Sequence, residues 1–78
     1  MSKPMAWRLR TPSDLGRLVA GARKRRGLTQ AELAKRTGIE RTYLARIEAG
    51  MTVILLERVL KLLNALEVDL IAVERRGG

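Results

Sequence analysis

The side chains that could do chemistry in this sequence are mostly cationic. The 78 residues include 16 Lys and Arg and 8 Asp and Glu, but neither His nor Cys. Without imidazole or thiol groups there is no His-based catalytic triad, no Cys nucleophile and no ordinary zinc or haem site. The acidic residues never lie three or four positions apart on a helix, so no paired-carboxylate site is expected. The sequence therefore favours a binding protein over an enzyme, with no cofactor or metal ion.

The basic charge is concentrated in the first half of the chain. Residues 1–46 contain twelve basic and three acidic residues, a net charge of +9, whereas residues 47–78 contain four basic and five acidic residues, a net charge of −1. Charge that served only solubility would not be confined to one half, so we expect a polyanionic partner. A membrane surface is a rival for the basic run Arg23–Arg26. However, the apolar residues beside that run include no aromatic anchor and are explained more simply as a core face.

The size of the chain allows one small domain. Its apolar runs, such as Val53–Leu56, are too short to span a bilayer, and the N-terminus lacks the apolar segment of a signal peptide. We therefore expect a cytoplasmic protein. So short a chain buries a small share of its surface and has no disulfide or metal to stabilise it, which favours a homodimer.

Several structural elements must position the cations. The first is a basic arm over residues 1–12, which we expect to be loose or extended. Ser13 is the predicted N-cap of the first helix, whose apolar residues follow at helical spacing. The cations of the run Arg23–Arg26 suit the negative end of the helix dipole. Gly27 is the predicted stop.

Two short helices follow. Thr29 and Glu32 have the spacing of a capping box, which opens the second helix and leaves Ala31, Leu33 and Ala34 as its predicted core residues. This helix stops before Gly38. A third helix is predicted from about Glu40 to Ala49, with Leu44 and Ile47 in the core. Lys35 and Arg36 are read as partners of the second helix's dipole.

The last part of the chain is more apolar. Thr52 is the predicted cap of a fourth helix, whose leucines and valines cover more than one face. Residues 68–74 then read as one β-strand, for which no partner strand is evident within the chain.

Two short helices joined by Thr37-Gly38-Ile39 form a helix-turn-helix pattern. The stretch from Gly27 to Ala34, the Gly38-Ile39 pair and the stretch from Tyr43 to Gly50 closely resemble the lambda-repressor-like (Xre) family. The last section resembles the C-terminal part of HipB-type antitoxins. The resemblance implies a four-helix, all-α helix-turn-helix domain over residues 13–66, followed by a dimerisation strand and tail over residues 67–78. It also implies an inverted-repeat operator DNA and a HipA-type kinase toxin as partners, and association with the nucleoid.

The resemblance assigns roles to individual residues. Arg41, Thr42 and Arg46 stand where the family reads bases, and Thr29, Gln30 and Tyr43 are the expected phosphate contacts. Arg23 and Glu48 stand where relatives place a partly buried ion pair. The expected dimerisation residues, whose strand would pair with its copy in a second chain, are Val68, Leu70, Ile71 and Val73. Glu40 departs from the family, because Ser or Thr usually caps the third helix.

Three functions are compatible with this sequence. The first is a dimeric repressor that autoregulates a toxin-antitoxin operon and neutralises the toxin. The second is a free-standing Xre or phage-type regulator without a toxin. The third is a protein-interaction module whose basic face binds an acidic protein.

Overall fold

The computed structural model describes residues 6–51 and 54–75. Within these ranges the chain forms four helices and two short strands. In chain order they are β1 (Ala6–Arg8), α1 (Pro12–Arg25), α2 (Gln30–Thr37), α3 (Arg41–Glu48), α4 (Ile54–Ala65) and β2 (Ile71–Val73). The predicted four-helix domain with a C-terminal strand is confirmed. No helix in the described ranges is long and apolar enough to cross a membrane.

α1 begins two residues before the predicted start. Thr11, not Ser13, is its N-cap, and Pro12 takes the first helical position, where its missing N–H and fixed φ cost nothing. The Thr11 hydroxyl accepts a hydrogen bond from the Asp14 amide at 3.1 Å, and the Asp14 carboxylate accepts from the amides of Thr11 and Arg10. The prediction of Ser13 was wrong because a complete capping box forms two residues earlier.

The other helix ends follow local sequence signals. The predicted capping box of Thr29 and Glu32 is confirmed. α1 ends at Arg25, and Gly27 follows with a positive φ of 69°. Glu40 takes the N-cap position of α3 but makes no side-chain capping bond. The predicted cap of α4, Thr52, lies outside the described residues.

The core is small. Within the described ranges the buried hydrophobic residues are Leu9, Ala34, Leu44 and Leu60. Ala31 is exposed, contrary to the prediction, because the first turn of α2 lies at the edge of the domain, outside the core that buries Ala34. Leu33 and Ile47 are half-buried. The core therefore lies among all four helices and the segment after β1.

The N-terminal arm is not loose in its described part. β1 pairs antiparallel with β2, in the register Ala6 with Val73, Trp7 with Ala72 and Arg8 with Ile71. The Leu9 amide extends the ladder by donating to the Leu70 carbonyl at 2.8 Å. The expectation that the C-terminal strand lacks a partner in its own chain was therefore wrong. The observed strand is also shorter than the predicted residues 68–74.

The two-stranded ribbon is attached to the end of α1. The Arg25 guanidinium lies over the Trp7 ring, 4.6 Å from its centroid. Arg25 and Arg26 both donate to the Glu74 carboxylate, at 2.9 and 3.4 Å. The contact with Arg25 gives Trp7 a structural role, because a cation over the face of an indole ring is electrostatically favourable.

α1 and α3 approach each other closely at Gly16. A Cβ atom at this position would lie 2.5 Å from the Ile47 carbonyl oxygen and 2.7 Å from that of Glu48. Backbone atoms at that distance cannot move aside without shifting a whole helix. Gly16 therefore permits the packing of α1 on α3.

This contact predicts opposite effects for two glycine substitutions in α1. Gly16→Ala should lower the free energy of unfolding by about 2 kcal/mol, because overpacking displaces α3. Gly21→Ala is the matched control, since its Cβ would meet only the movable tip of the Arg25 side chain, at 3.2 Å. Its better helix propensity should leave the stability unchanged or raise it by up to about 1 kcal/mol. Urea denaturation of both variants measures this, and equal stabilities would contradict the close approach.

Candidate nucleic-acid interface

The turn between α2 and α3 is fixed by one glycine and one threonine. Gly38 adopts the left-handed conformation, with φ 75°, and its amide donates to the Ala34 carbonyl at 2.9 Å. The Thr37 hydroxyl donates to the Leu33 carbonyl at 3.0 Å and accepts from the Ile39 amide at 3.2 Å. This compact turn sets the angle at which α3 leaves α2.

α3 has an inward and an outward face. Leu44 is buried, and Ile47 and Glu48 also turn toward the domain. The three predicted base-reading residues are all exposed, and they are Arg41, Thr42 and Arg46. Their side chains make no hydrogen bond or salt bridge with any described residue. The outward face therefore presents two cations and a hydroxyl with no partner in the described chain.

The predicted phosphate contacts lie at the start of α2 and on α3. The Thr29 hydroxyl accepts from the Glu32 amide at 3.1 Å, so it serves as the cap of α2. Gln30 is the first residue of that helix, where backbone amides have no acceptor within the helix. Tyr43 is 47% exposed, and it lines a cavity together with Pro12 and Leu15 of α1 and Leu56 of α4.

Arg23 and Glu48 form a buried ion pair between α1 and α3. Arg23 Nε lies 2.7 Å from Glu48 Oε2, and Nη2 lies 3.0 Å from Oε1. The two side chains are only 10% and 7% exposed. The remaining Arg23 nitrogen, Nη1, donates to the Leu28 carbonyl at 2.8 Å. One guanidinium therefore joins α1, α3 and the loop that leads to α2.

The same carboxylate binds α2. Gln30 Nε2 donates to Glu48 Oε1 at 3.0 Å. The bond from Arg23 is the main cause that lowers the pKa of Glu48, and the bond from Gln30 lowers it further against the opposing effect of burial. From the sequence we expected Glu48 to form an ion pair with Arg23, and no other contact was assigned to it. The structure adds its contact with a predicted phosphate-binding residue.

Most of the basic run is engaged within the chain. Arg23 binds Glu48, and Arg25 and Arg26 bind Glu74. Lys24 makes no salt bridge with a described residue, and the same holds for Lys35 and Arg36 at the end of α2. The densest cluster of cations in the sequence thus stabilises the fold, whereas the cations of α2 and α3 are available to a partner.

A second exposed surface is apolar. Four apolar residues that recur at alternating intervals of four and three are 42% to 72% exposed. We call them the α4 stripe, and they are Leu55, Val59 and Leu62 on α4 and Leu66 just after its end. The predicted dimerisation residues are exposed as well, and they are Val68, Leu70, Ile71 and Val73. A large exposed apolar surface on so small a domain is typical of an interaction site.

The family follows from a comparison with known proteins. Residues 19–72, which include the whole turn and both of its helices, match the family model described as Helix-turn-helix. The chain belongs to the helix-turn-helix family. A similar protein of this class is the uncharacterized HTH-type transcriptional regulator y4mF of Sinorhizobium fredii (strain NBRC 101917 / NGR234). It is 37% identical over 70 residues, which cover 87% of this chain and 92% of that protein. No solved structure matches the chain significantly.

The buried ion pair predicts acid-sensitive stability. A carboxyl group whose pKa is lowered by folding stabilises the protein above its unfolded pKa, and the effect is lost as the pH falls through the folded pKa. At pH 7, Glu48→Gln should lower the thermal midpoint by about 10 °C or more, because it leaves the Arg23 charge uncompensated. The difference from the unsubstituted protein should shrink as the pH falls below 4.5, the ordinary pKa of Glu.

Arg17→Ala is the control for this measurement. It removes the exposed partner of the Asp14–Arg17 pair, in which the Arg17 side chain is 71% exposed. Exposed pairs contribute little, so the thermal midpoint should change by no more than a few degrees. Equal effects of the two substitutions at pH 7 would show that the Arg23–Glu48 pair has no special role.

Proposed function

We propose that this protein is a transcriptional regulator that binds duplex operator DNA through α3 and acts by binding, without catalysis, in the cytoplasm. The observation that carries the proposal is the outward face of α3. It belongs to the second helix of a helix-turn-helix, the element that enters the major groove in this motif. The face presents Arg41, Thr42 and Arg46 without partners in the described chain.

The side-chain chemistry suits this groove. An arginine fork matches the O6 and N7 atoms of guanine, and a threonine can donate, accept or contact a thymine methyl group. At the start of α2, the free amides and the Gln30 side chain can donate to a backbone phosphate, and the Tyr43 hydroxyl can do the same. Base contacts therefore come from α3, and phosphate contacts come mainly from the start of α2.

We also propose that the regulator is a homodimer in which a second copy covers the α4 stripe. Only four hydrophobic residues of the described chain are buried, whereas the stripe and β2 both leave large apolar side chains exposed. The four-three spacing of the stripe suits packing against another helix.

β2 supports the same arrangement. β1 occupies one edge of β2, and no other described strand covers the opposite edge. In the proposed dimer the two β2 strands pair antiparallel across the two-fold axis, with each β1 as an outer strand. Two copies of α3 would then face the DNA about 34 Å apart, and the operator would be an inverted repeat.

A more specific function within this class is that of an antitoxin that neutralises a HipA-type kinase and represses its own operon. The likeness of α4 and β2 to HipB-type proteins and the breadth of the exposed apolar surface favour it. A free-standing regulator is equally consistent with the helix-turn-helix. Purification from the native host distinguishes the two, because a kinase-like protein should accompany an antitoxin, and operator DNA alone should accompany a free-standing regulator.

The DNA-binding proposal predicts two classes of substitution. We would select duplexes from random sequences with the unsubstituted protein and measure the affinities of its variants. Arg41→Ala or Arg46→Ala should weaken binding to the selected duplex by about 10-fold to 100-fold and relax the preference at particular base pairs. Gln30→Ala should weaken binding to selected and random duplexes by the same factor.

Lys61→Ala is the control for the loss of charge, since it removes an exposed cation from α4, outside the motif. It should change the affinity by less than the α3 substitutions do. Binding should also weaken steeply as the salt concentration rises. Failure of the unsubstituted protein to select any duplex would contradict the proposal and favour the protein-interaction module.

The dimer proposal predicts that a charge on the α4 stripe separates the subunits. Leu62→Glu should give a monomer in analytical ultracentrifugation, because it would bury two uncompensated carboxylates at the interface. Lys61→Glu places the same side chain on the other side of α4 and should leave the dimer intact. A Leu62→Glu variant that remains dimeric would rule out the α4 stripe as the interface.

A further inference from the structure

The side-chain amide of Gln30 lies between the proposed phosphate site and the buried ion pair. Glu48 Oε1 accepts from Gln30 Nε2 at 3.0 Å and from Arg23 Nη2 at 3.0 Å. Gln30 begins α2, whereas Glu48 ends α3 and Arg23 lies on α1. An amide at the start of one helix is thus held by a carboxylate from another.

We propose that Glu48 is a positioning residue for DNA binding, which acts by orienting the Gln30 amide toward a backbone phosphate. This inference rests on the proposed function. A carboxylate only accepts hydrogen bonds, so the nitrogen end of the amide must face Glu48, while the oxygen end would be repelled. The nitrogen carries two hydrogens. One is bound to Glu48, and the other is left for a phosphate oxygen, which also only accepts.

Arg23 makes this arrangement compatible with DNA. A bare carboxylate close to a phosphate would repel it, but Arg23 contacts both oxygens of Glu48, at 2.7 and 3.0 Å. The Glu48 side chain is only 7% exposed, so it does not itself form part of the surface that DNA would contact. Its influence on binding must therefore pass through the residues that it contacts, and Gln30 is the one of these at the proposed phosphate site.

The expected benefit is preorganisation. A glutamine side chain on a helix surface samples several rotamers, and fixing it on binding costs conformational entropy. The bond to Glu48 fixes the amide before DNA arrives. Loss of that bond should therefore weaken DNA binding even in a variant that remains fully folded.

A double-mutant cycle tests the inference. The affinity for a duplex selected by the unsubstituted protein is measured for Glu48→Gln with Gln30 present and again in a Gln30→Ala background. The assay temperature lies well below every thermal midpoint, and circular dichroism verifies the helix content. The change of net charge affects DNA binding equally in both backgrounds, so it cancels. The factor by which Glu48→Gln raises the Kd should be at least about threefold larger when Gln30 is present.

Glu74→Gln serves as the matched control. Glu74 is also a carboxylate bound by arginines, but its partners are Arg25 and Arg26 and it has no contact with Gln30. Its effect on the Kd should be the same in both backgrounds. If Glu48→Gln does not fold at the assay temperature, Glu48→Asp replaces it, because it keeps the charge opposite Arg23 and shortens the reach toward Gln30.

The outcomes separate the inference from the proposed function. Equal factors for Glu48→Gln in the two backgrounds would show that Glu48 acts only on stability and would overturn the inference, while DNA binding itself stood. Failure of the unsubstituted protein to select any duplex would overturn both. A lowered thermal midpoint together with the predicted coupling in Kd would establish both roles of Glu48.

Discussion

The Arg23–Glu48 ion pair is the constraint on which the arrangement of the helix-turn-helix depends. It is nearly inaccessible to water, joins α1 to α3 and fixes the loop before α2 through the Leu28 carbonyl. Gly16 lies seven residues before Arg23, on the same face of α1, and allows the two helices to approach. With Leu44 and Glu48 turned inward, helical geometry leaves Thr42 and Arg46 outward, and Arg41 is exposed at the first position of the helix. The surface proposed to contact DNA is thus set by bonds on the opposite side of the same helix.

The cations of this chain divide according to their acidic neighbours. Arg23, Arg25 and Arg26 have carboxylate partners and serve the fold. Arg41 and Arg46 have none among the described residues, and both are exposed on α3. The basic residues in the first half of the sequence therefore include some that form ion pairs within the fold and others that can bind a partner. Only the latter can bind a polyanion without breaking bonds within the protein.

Local signals in the sequence predicted local structure well. The capping box of Thr29 and Glu32 and the turn at Gly38 depend on residues within a few positions of one another, so their spacing specified them. The start of α1 was predicted at Ser13, but the hydrogen bonds of Asp14 place the cap at Thr11.

Apart from the Arg23–Glu48 pair, which the family resemblance implied, contacts between distant residues were not predicted. Pairing of β1 with β2 joins the two ends of the chain, although the alternation of Trp7, Arg8, Leu9 and Arg10 is a pattern typical of a strand. The need for Gly16 arises only where α3 packs against α1, and the contact of Gln30 with Glu48 arises only once both helices are in place.

The most direct test of the central claim is to map the DNA-binding surface by nuclear magnetic resonance. The backbone amide resonances would be recorded while a selected duplex is added to the full-length protein. The account predicts that the largest shifts fall on residues 29–31 and 41–46, with small shifts on residues 6–8 and 71–73. Large shifts on the two-stranded ribbon, with α3 unaffected, would contradict it.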